Sequence, residues 1–275
     1  MKTDCHICPH RCMLDSGQTG LCGARKNADG KITCESYGKI SAIALDPIEK
    51  KPLRRFYPDT LILSIGSYGC NLNCPFCQNH RIAKPLEKPD VMSVSPEMLV
   101  EKAVSLKGQG NIGIAYTYNE PLIGYEYVMD CARLARSHGL KNVLVTNGYI
   151  AEQPLIELLP FIDAMNIDLK GFNAEFYKKL GGNPGIVKNT ISIAAETAHI
   201  EVTTLIIPDE NDRRDEMENL SSWLSHINSE IPLHVSRFFP CHKYIGKTPT
   251  PVETIYALAD IARKHLRWVY AGNCF

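Results

Sequence analysis

The chain has 275 residues, 44% of them hydrophobic, which is enough for one sizeable globular domain with an appendage. Thirty basic and thirty acidic side chains cancel, so bulk electrostatics gives no reason to expect nucleic acid or an anionic membrane as partner. No apolar run approaches bilayer length, the first residues lack a secretory segment, and eleven cysteines at short spacings point to metal ligation in a reducing, cytoplasmic setting rather than to disulfides.

Residues 1–58 are expected to form a cysteine-rich extension. Cys5, Cys8, Cys12 and Cys22 spell C-x2-C-x3-C-x9-C in a polar segment with too few apolar residues to hold a fold without a bound metal. By count, four thiolates satisfy a zinc ion or a second iron–sulfur cluster equally well; four unligated thiols are the plainer alternative. Cys34 reads as a strand residue, and Gly38-Lys39 between two β-like runs, 31–37 and 40–45, predicts a hairpin. The basic link 46–58, with three prolines, is expected to be extended and irregular, its charges lying on a solvated face or at the mouth of an active site.

From residue 59 to 275 the texture is that of an α/β domain. Apolar runs predict strands at 61–66, 112–116, 142–146, 164–169, 201–207 and 233–239, each followed by a helix-sized segment. Ser95-Pro96 marks one helix start, Pro121 another, and Thr250 to Glu253 reads as a capping box for the last. Strands alternating with helices pair in parallel through right-handed crossovers, giving an open doubly wound sheet or a curved partial barrel. Chemistry then belongs at the carboxyl ends of the strands. The cysteine loop, Asn119-Glu120, Thr146-Asn147-Gly148, Asp168 with Lys170, the 208–212 loop, and Arg237 with 240–242 all fall there. A partial (β/α)6 TIM-like barrel of parallel strands puts these groups within reach of one bound molecule, and it is the expected architecture.

The loop itself runs Cys70-Asn-Leu-Asn-Cys74-Pro-Phe76-Cys77. Three thiolates this close suit an iron–sulfur cube with one iron left open for a ligand; the alternatives are half a zinc site completed by His80, or thiols that merely pack. The C-x3-C-x2-C spacing with Phe76 before its last cysteine resembles the signature of the radical SAM enzymes. The resemblance extends to the pyruvate formate-lyase activating enzymes. Tyr118-Asn119-Glu120-Pro121 stands where they have Gly-Gly-Glu-Pro, Thr146-Asn147-Gly148 matches their Thr-Asn-Gly, and Asp168-Leu-Lys170 matches their Asp-x-Lys. Cys8-Pro-His-Arg-Cys12, residues 46–51, Cys77-Gln-Asn79 and Ala271-Gly-Asn273 further resemble blocks of the radical SAM proteins of the AmmeMemoRadiSam system.

That resemblance implies a radical SAM oxidoreductase. Its [4Fe-4S] cluster on Cys70, Cys74 and Cys77 cleaves S-adenosylmethionine (SAM) to a 5′-deoxyadenosyl radical, which takes hydrogen from a protein, peptide or small molecule. Glu120 would accept the SAM amino group. Thr146, Asn147, Asp168 and Lys170 would line its carboxylate and ribose, with Phe76 and Asn119 as further cofactor contacts. A flavodoxin or ferredoxin would supply the electron. The rival is a non-catalytic zinc or iron–sulfur interaction module. Cys241, beside His242 on the same rim, reads as an inert lone thiol and Cys131 as core.

Overall fold

Short aliphatic runs between turn signals become one eight-stranded sheet in the computed structural model, which describes residues 2–87 and 89–274. In chain order, and side by side in that order, lie β1 (Ala42–Pro47), β2 (Leu61–Gly66), β3 (Asn111–Tyr116), β4 (Lys141–Thr146), β5 (Ala164–Asp168), β6 (His199–Ile206), β7 (Leu233–Arg237) and β8 (Val269–Gly272). Strands β2 to β8 are parallel and β1 is antiparallel to β2. Between the parallel strands run α1 (Pro96–Ser105), α2 (Tyr125–Ser137), α3 (Glu152–Leu158), α4 (Ala174–Lys179) with α5 (Pro184–Ala194), α6 (Arg214–Asn228) and α7 (Val252–Ala262). Their apolar faces, such as Leu99, Val100 and Ala103 of α1, pack on the strands to form the main core. The six expected strand–helix units are all present. Among the described residues no helix is long and apolar enough to cross a membrane.

Three local expectations are corrected. The hairpin joins Arg25–Ala28 to Lys31–Cys34 around Asp29-Gly30, not the runs on either side of Gly38-Lys39. Both turn residues have positive φ, 50° and 93°, and Asp-Gly adopts such a pair more cheaply than Gly-Lys. The run expected as the hairpin's second arm instead pairs as β1, with Ala42 opposite Gly66 and Pro47 opposite Leu61. Thr250 does not cap α7. Buried among apolar groups, its hydroxyl donates to the Ile206 carbonyl at 2.6 Å, and the helix starts without a side-chain cap. Ser95, by contrast, accepts from the Met98 amide as its position predicts.

The link 46–58 is irregular and keeps Lys50, Arg54 and Arg55 exposed, but its apolar residues turn inward. Ile48, Leu53 and Phe56 are buried against Ile62, Ala115, Val143 and Ala164, closing the amino ends of the strands and leaving the carboxyl ends open. Glu201, fully buried on β6, fastens this plug: its carboxylate accepts from the Arg54 and Arg55 amides at 2.9 and 2.7 Å and from His199 and His234 at 3.0 and 2.6 Å. Burial alone would raise its pKa, but the histidines and the amides overcome it and hold the group at about 2. A carboxyl depressed from 4.5 to about 2 contributes stability that is fully present above pH 4.5 and lost as pH falls toward 2. Glu201→Gln is therefore expected to cost on the order of 3 kcal/mol at pH 7. In urea titrations the wild-type advantage should shrink between pH 5 and pH 3; an equal gap at both values would remove this role.

Candidate active site

Strand β2 delivers the cysteine loop at its carboxyl end, and two glycines make the approach possible. A Cβ on Gly66 would stand 2.8 Å from Tyr118 Cβ. Gly69 has φ +93°, and a Cβ there would stand 2.6 Å from the Cys22 carbonyl oxygen. That closeness has a purpose, because the Cys70 amide donates to the same carbonyl at 3.1 Å. The loop is further pinned by Asn73 N to the Leu180 carbonyl, by the Lys243 and Tyr244 amides on the Pro75 carbonyl, and by Asn71 Nδ2 on the Tyr149 carbonyl. Gly69→Ala combines a left-handed backbone with a collision. It is expected to cost about 2 kcal/mol, a fall of roughly 4–8 °C in Tm, measured by thermal melts; an unshifted Tm would mean that the two loops are not locked together.

Cys70, Cys74 and Cys77 line one open cavity of about 350 Å³ at the strand ends. Phe76, Asn119, Glu120, Thr146, Asn147, Asp168 and Lys170 line the same cavity, so the sequence-predicted set around the loop is brought together. Phe76 is buried against Phe176 and Tyr244 and forms an apolar wall. Asn119 braces the loop, accepting from Ser67 N at 2.9 Å and donating to the Gly69 carbonyl at 3.1 Å.

Glu120 is the buried charge of the site. Its Oε1 accepts from Thr146 Oγ1 at 2.7 Å and from Leu122 N at 3.0 Å, and its Oε2 from Asn147 N at 2.8 Å. A carboxylate offers about four acceptor positions, so one remains for a donor in the cavity. Burial pushes its pKa up to about 7 against the lowering effect of those three bonds. Asn147 reaches from this cluster to the loop, donating to Asn71 Oδ1 at 2.9 Å and to the Cys70 sulfur at 3.6 Å. Lys170 pairs with Asp168 at 2.6 Å; burial opposes its charge, but Asp168 and the neighbouring Cys74 push its pKa up.

The loop cysteines fit a metal cluster. Burial raises all three thiols, Cys74 to about 11 despite Lys170, so thiolates here need a cationic partner such as bound iron.

Lys50 and Lys51 line the cavity too, in keeping with the reading that puts charges of the 46–58 link at an active-site mouth, whereas sequence reasoning missed Tyr118, Thr203, Leu205, Ser236 and Asn273. Glu201 and Thr203 stand two apart on β6, as do His234 and Ser236 on β7, and this period-2 spacing of polar groups in apolar strands is the available signal. Lys51 is buried, 2.9 Å from Asp46 and over the Tyr118 ring, while Tyr118 donates to the same carboxylate at 2.9 Å. These contacts hold Tyr118 at φ +69°, so the residue at a glycine position of the resembled motif still takes a glycine-like conformation. The 208–212 loop and Arg237 do not line the cavity; Asn211 ties the Ile207 amide, and Arg237 holds the Thr250 carbonyl. Cys241 donates to the Cys77 carbonyl and His242 stacks on His80, beside the cavity rather than in it. Cys131 is core, as expected. Cys5, Cys8, Cys12 and Cys22 border a second, smaller cavity.

Comparison with known proteins agrees with this geometry. The model of the Radical SAM superfamily matches residues 64–221. The uncharacterized protein MJ0808 of Methanocaldococcus jannaschii is 41% identical over 99% of this chain and 81% of its own. The (2S)-3-sulfopropanediol dehydratase activating enzyme of Klebsiella oxytoca is 28% identical over 82% of this chain and 70% of its own. A solved structure of Streptococcus suis SuiB bound to S-adenosylmethionine shares the fold, with TM-score 0.56 and 14% identity over 75% of this chain and 48% of SuiB. Since the match begins inside β2, runs through every strand to β6 and ends in α6, the chain belongs to the radical SAM superfamily.

Proposed function

We propose that the chain reductively cleaves SAM at a [4Fe-4S] cluster held by Cys70, Cys74 and Cys77, and that the radical produced abstracts hydrogen from a protein or peptide substrate. The observation that carries this is the meeting of three cysteines, buried Glu120 and the Asp168–Lys170 pair on one cavity. When bound, the reduced cluster supplies the single electron that breaks a sulfur–carbon bond of SAM. The free acceptor position of Glu120 would take a hydrogen of the SAM amino group. Lys170, fixed by Asp168, would lie against the SAM carboxylate and ribose together with Thr146 and Asn147. Phe76 excludes water from one side. A protein substrate is favoured over a small molecule by the 28% identical relative, which by its name activates another enzyme. The electron comes from a flavodoxin- or ferredoxin-type donor. A non-catalytic metal module has no use for an unfilled anion beside the loop.

The test is the anaerobic chain, reconstituted with iron and sulfide, incubated with SAM and dithionite. Methionine and 5′-deoxyadenosine are expected in equal amounts. A fully loaded protein that releases neither would overturn the reading.

A further inference from the structure

The four cysteines of the extension play no part in the reading above. Cys5, Cys8 and Cys22 are buried, Cys12 is half-buried, and all four border one cavity. Arg25 lines the same cavity and is 5% exposed. Its terminal nitrogens are taken by Glu126 and the Ile123 carbonyl, yet its Nε is buried without a partner. A buried N–H left without an acceptor is costly, and an unpartnered guanidinium nitrogen lining the same cavity as four cysteines is suited to an anionic thiolate-bound centre.

Two links join this centre to the cysteine loop. The Cys22 carbonyl accepts from the Cys70 amide at 3.1 Å. His10, which lines the same cavity, bonds the Asn71 carbonyl at 2.7 Å, and Asn71 Oδ1 accepts from Asn147, which reaches the Cys70 sulfur.

We propose that Cys5, Cys8, Cys12 and Cys22 hold a second iron–sulfur cluster, and that it passes electrons to the cluster on Cys70, Cys74 and Cys77. The relay rests on the proposed function; the site does not. Four sulfur ligands in a closed cavity leave no open iron, which suits electron transfer and not substrate binding. Zinc has no redox chemistry, and so would make no use of a direct hydrogen-bonded path to Cys70. For each SAM cleaved, one electron leaves a flavodoxin- or ferredoxin-type donor, enters the N-terminal cluster and moves on to the second cluster. The donor is oxidised by one electron and no bond or proton changes in the transfer.

The full chain, reconstituted anaerobically, is expected to hold about eight irons and eight sulfides. A Cys70→Ala, Cys74→Ala, Cys77→Ala variant should keep about four irons and, once reduced, an EPR signal that SAM leaves unchanged. Zinc in place of that iron, or a folded variant without metal, would overturn the site. If the variant does not fold, the wild type decides: about four irons, with or without a zinc, overturns it equally. For the relay, wild type mixed with a reduced flavodoxin and frozen at successive times should show the SAM-insensitive EPR signal before the SAM-sensitive one. A SAM-sensitive signal that appears first overturns the relay. A wild type with about eight irons that cleaves no SAM would sink the proposed function and leave the site standing.

Discussion

Cys74→Ala is expected to reduce 5′-deoxyadenosine formation about a thousandfold or more, with the SAM-responsive cluster lost at the same time. Cys74 sits between Cys70 and Cys77 on the cavity wall, close enough to Lys170 for each to shift the other's ionisation. Two remaining sulfurs cannot keep a cube with one open corner. No neighbouring side chain replaces the third, since the Cys241 thiol is turned to the Cys77 carbonyl and lies outside the cavity. Cys131→Ala, in the core of α2, serves as the control and should stay within about twofold of wild type. Parallel product assays and iron determinations check this. A Cys74→Ala protein that still makes 5′-deoxyadenosine would remove the loop from the chemistry.

Glu120→Gln is expected to weaken SAM binding about a hundredfold while iron content stays at the wild-type level. Glutamine keeps the shape and one carbonyl oxygen. Its amide, however, presents hydrogens to the Asn147 N–H that now donates to Oε2, and it offers no anion to an ammonium. The wild-type carboxyl, raised to about 7 by burial, also sets the sign of a pH effect. The ionised fraction grows as pH rises through 7, so SAM binding should tighten by about tenfold from pH 6 to pH 8, and the glutamine variant should show no such rise. Calorimetric titration of the reconstituted protein with SAM, at both pH values, measures the two effects together. Equal affinity in wild type and variant would leave Glu120 as a brace for the Leu122, Thr146 and Asn147 corner and nothing more.

How far the molecule could be read from its residues depended on whether the deciding contact was local. Strands β2 to β7 follow from apolar runs bounded by turn residues, and Ser95 caps α1 because Ncap geometry needs only neighbours in sequence. Cys70, Glu120, Thr146 and Asp168 were visible because the strand-end rule gathers residues that lie far apart in the chain. Contacts set by tertiary partners were not visible. Glu201 meets His234 and the Arg54 amide only once the strands are assembled, and Thr250 gives up its capping role to a carbonyl on β6. Residues 40–45 read as a hairpin arm from the nearest turn signal, whereas the free edge of β2 offers residues 42–47 a longer pairing. Lys51, in a stretch rich in charge and proline, becomes a lining residue only because Asp46 and Tyr118 fold over it.

The open iron position is most directly tested by EPR spectra of the dithionite-reduced protein recorded with and without SAM. A SAM molecule bound through that iron should change the g values of the cluster signal, and the change should be lost in Glu120→Gln at the same SAM concentration. Spectra that are identical with and without saturating SAM, from protein with full iron and sulfide, would contradict radical generation at the Cys70, Cys74 and Cys77 loop.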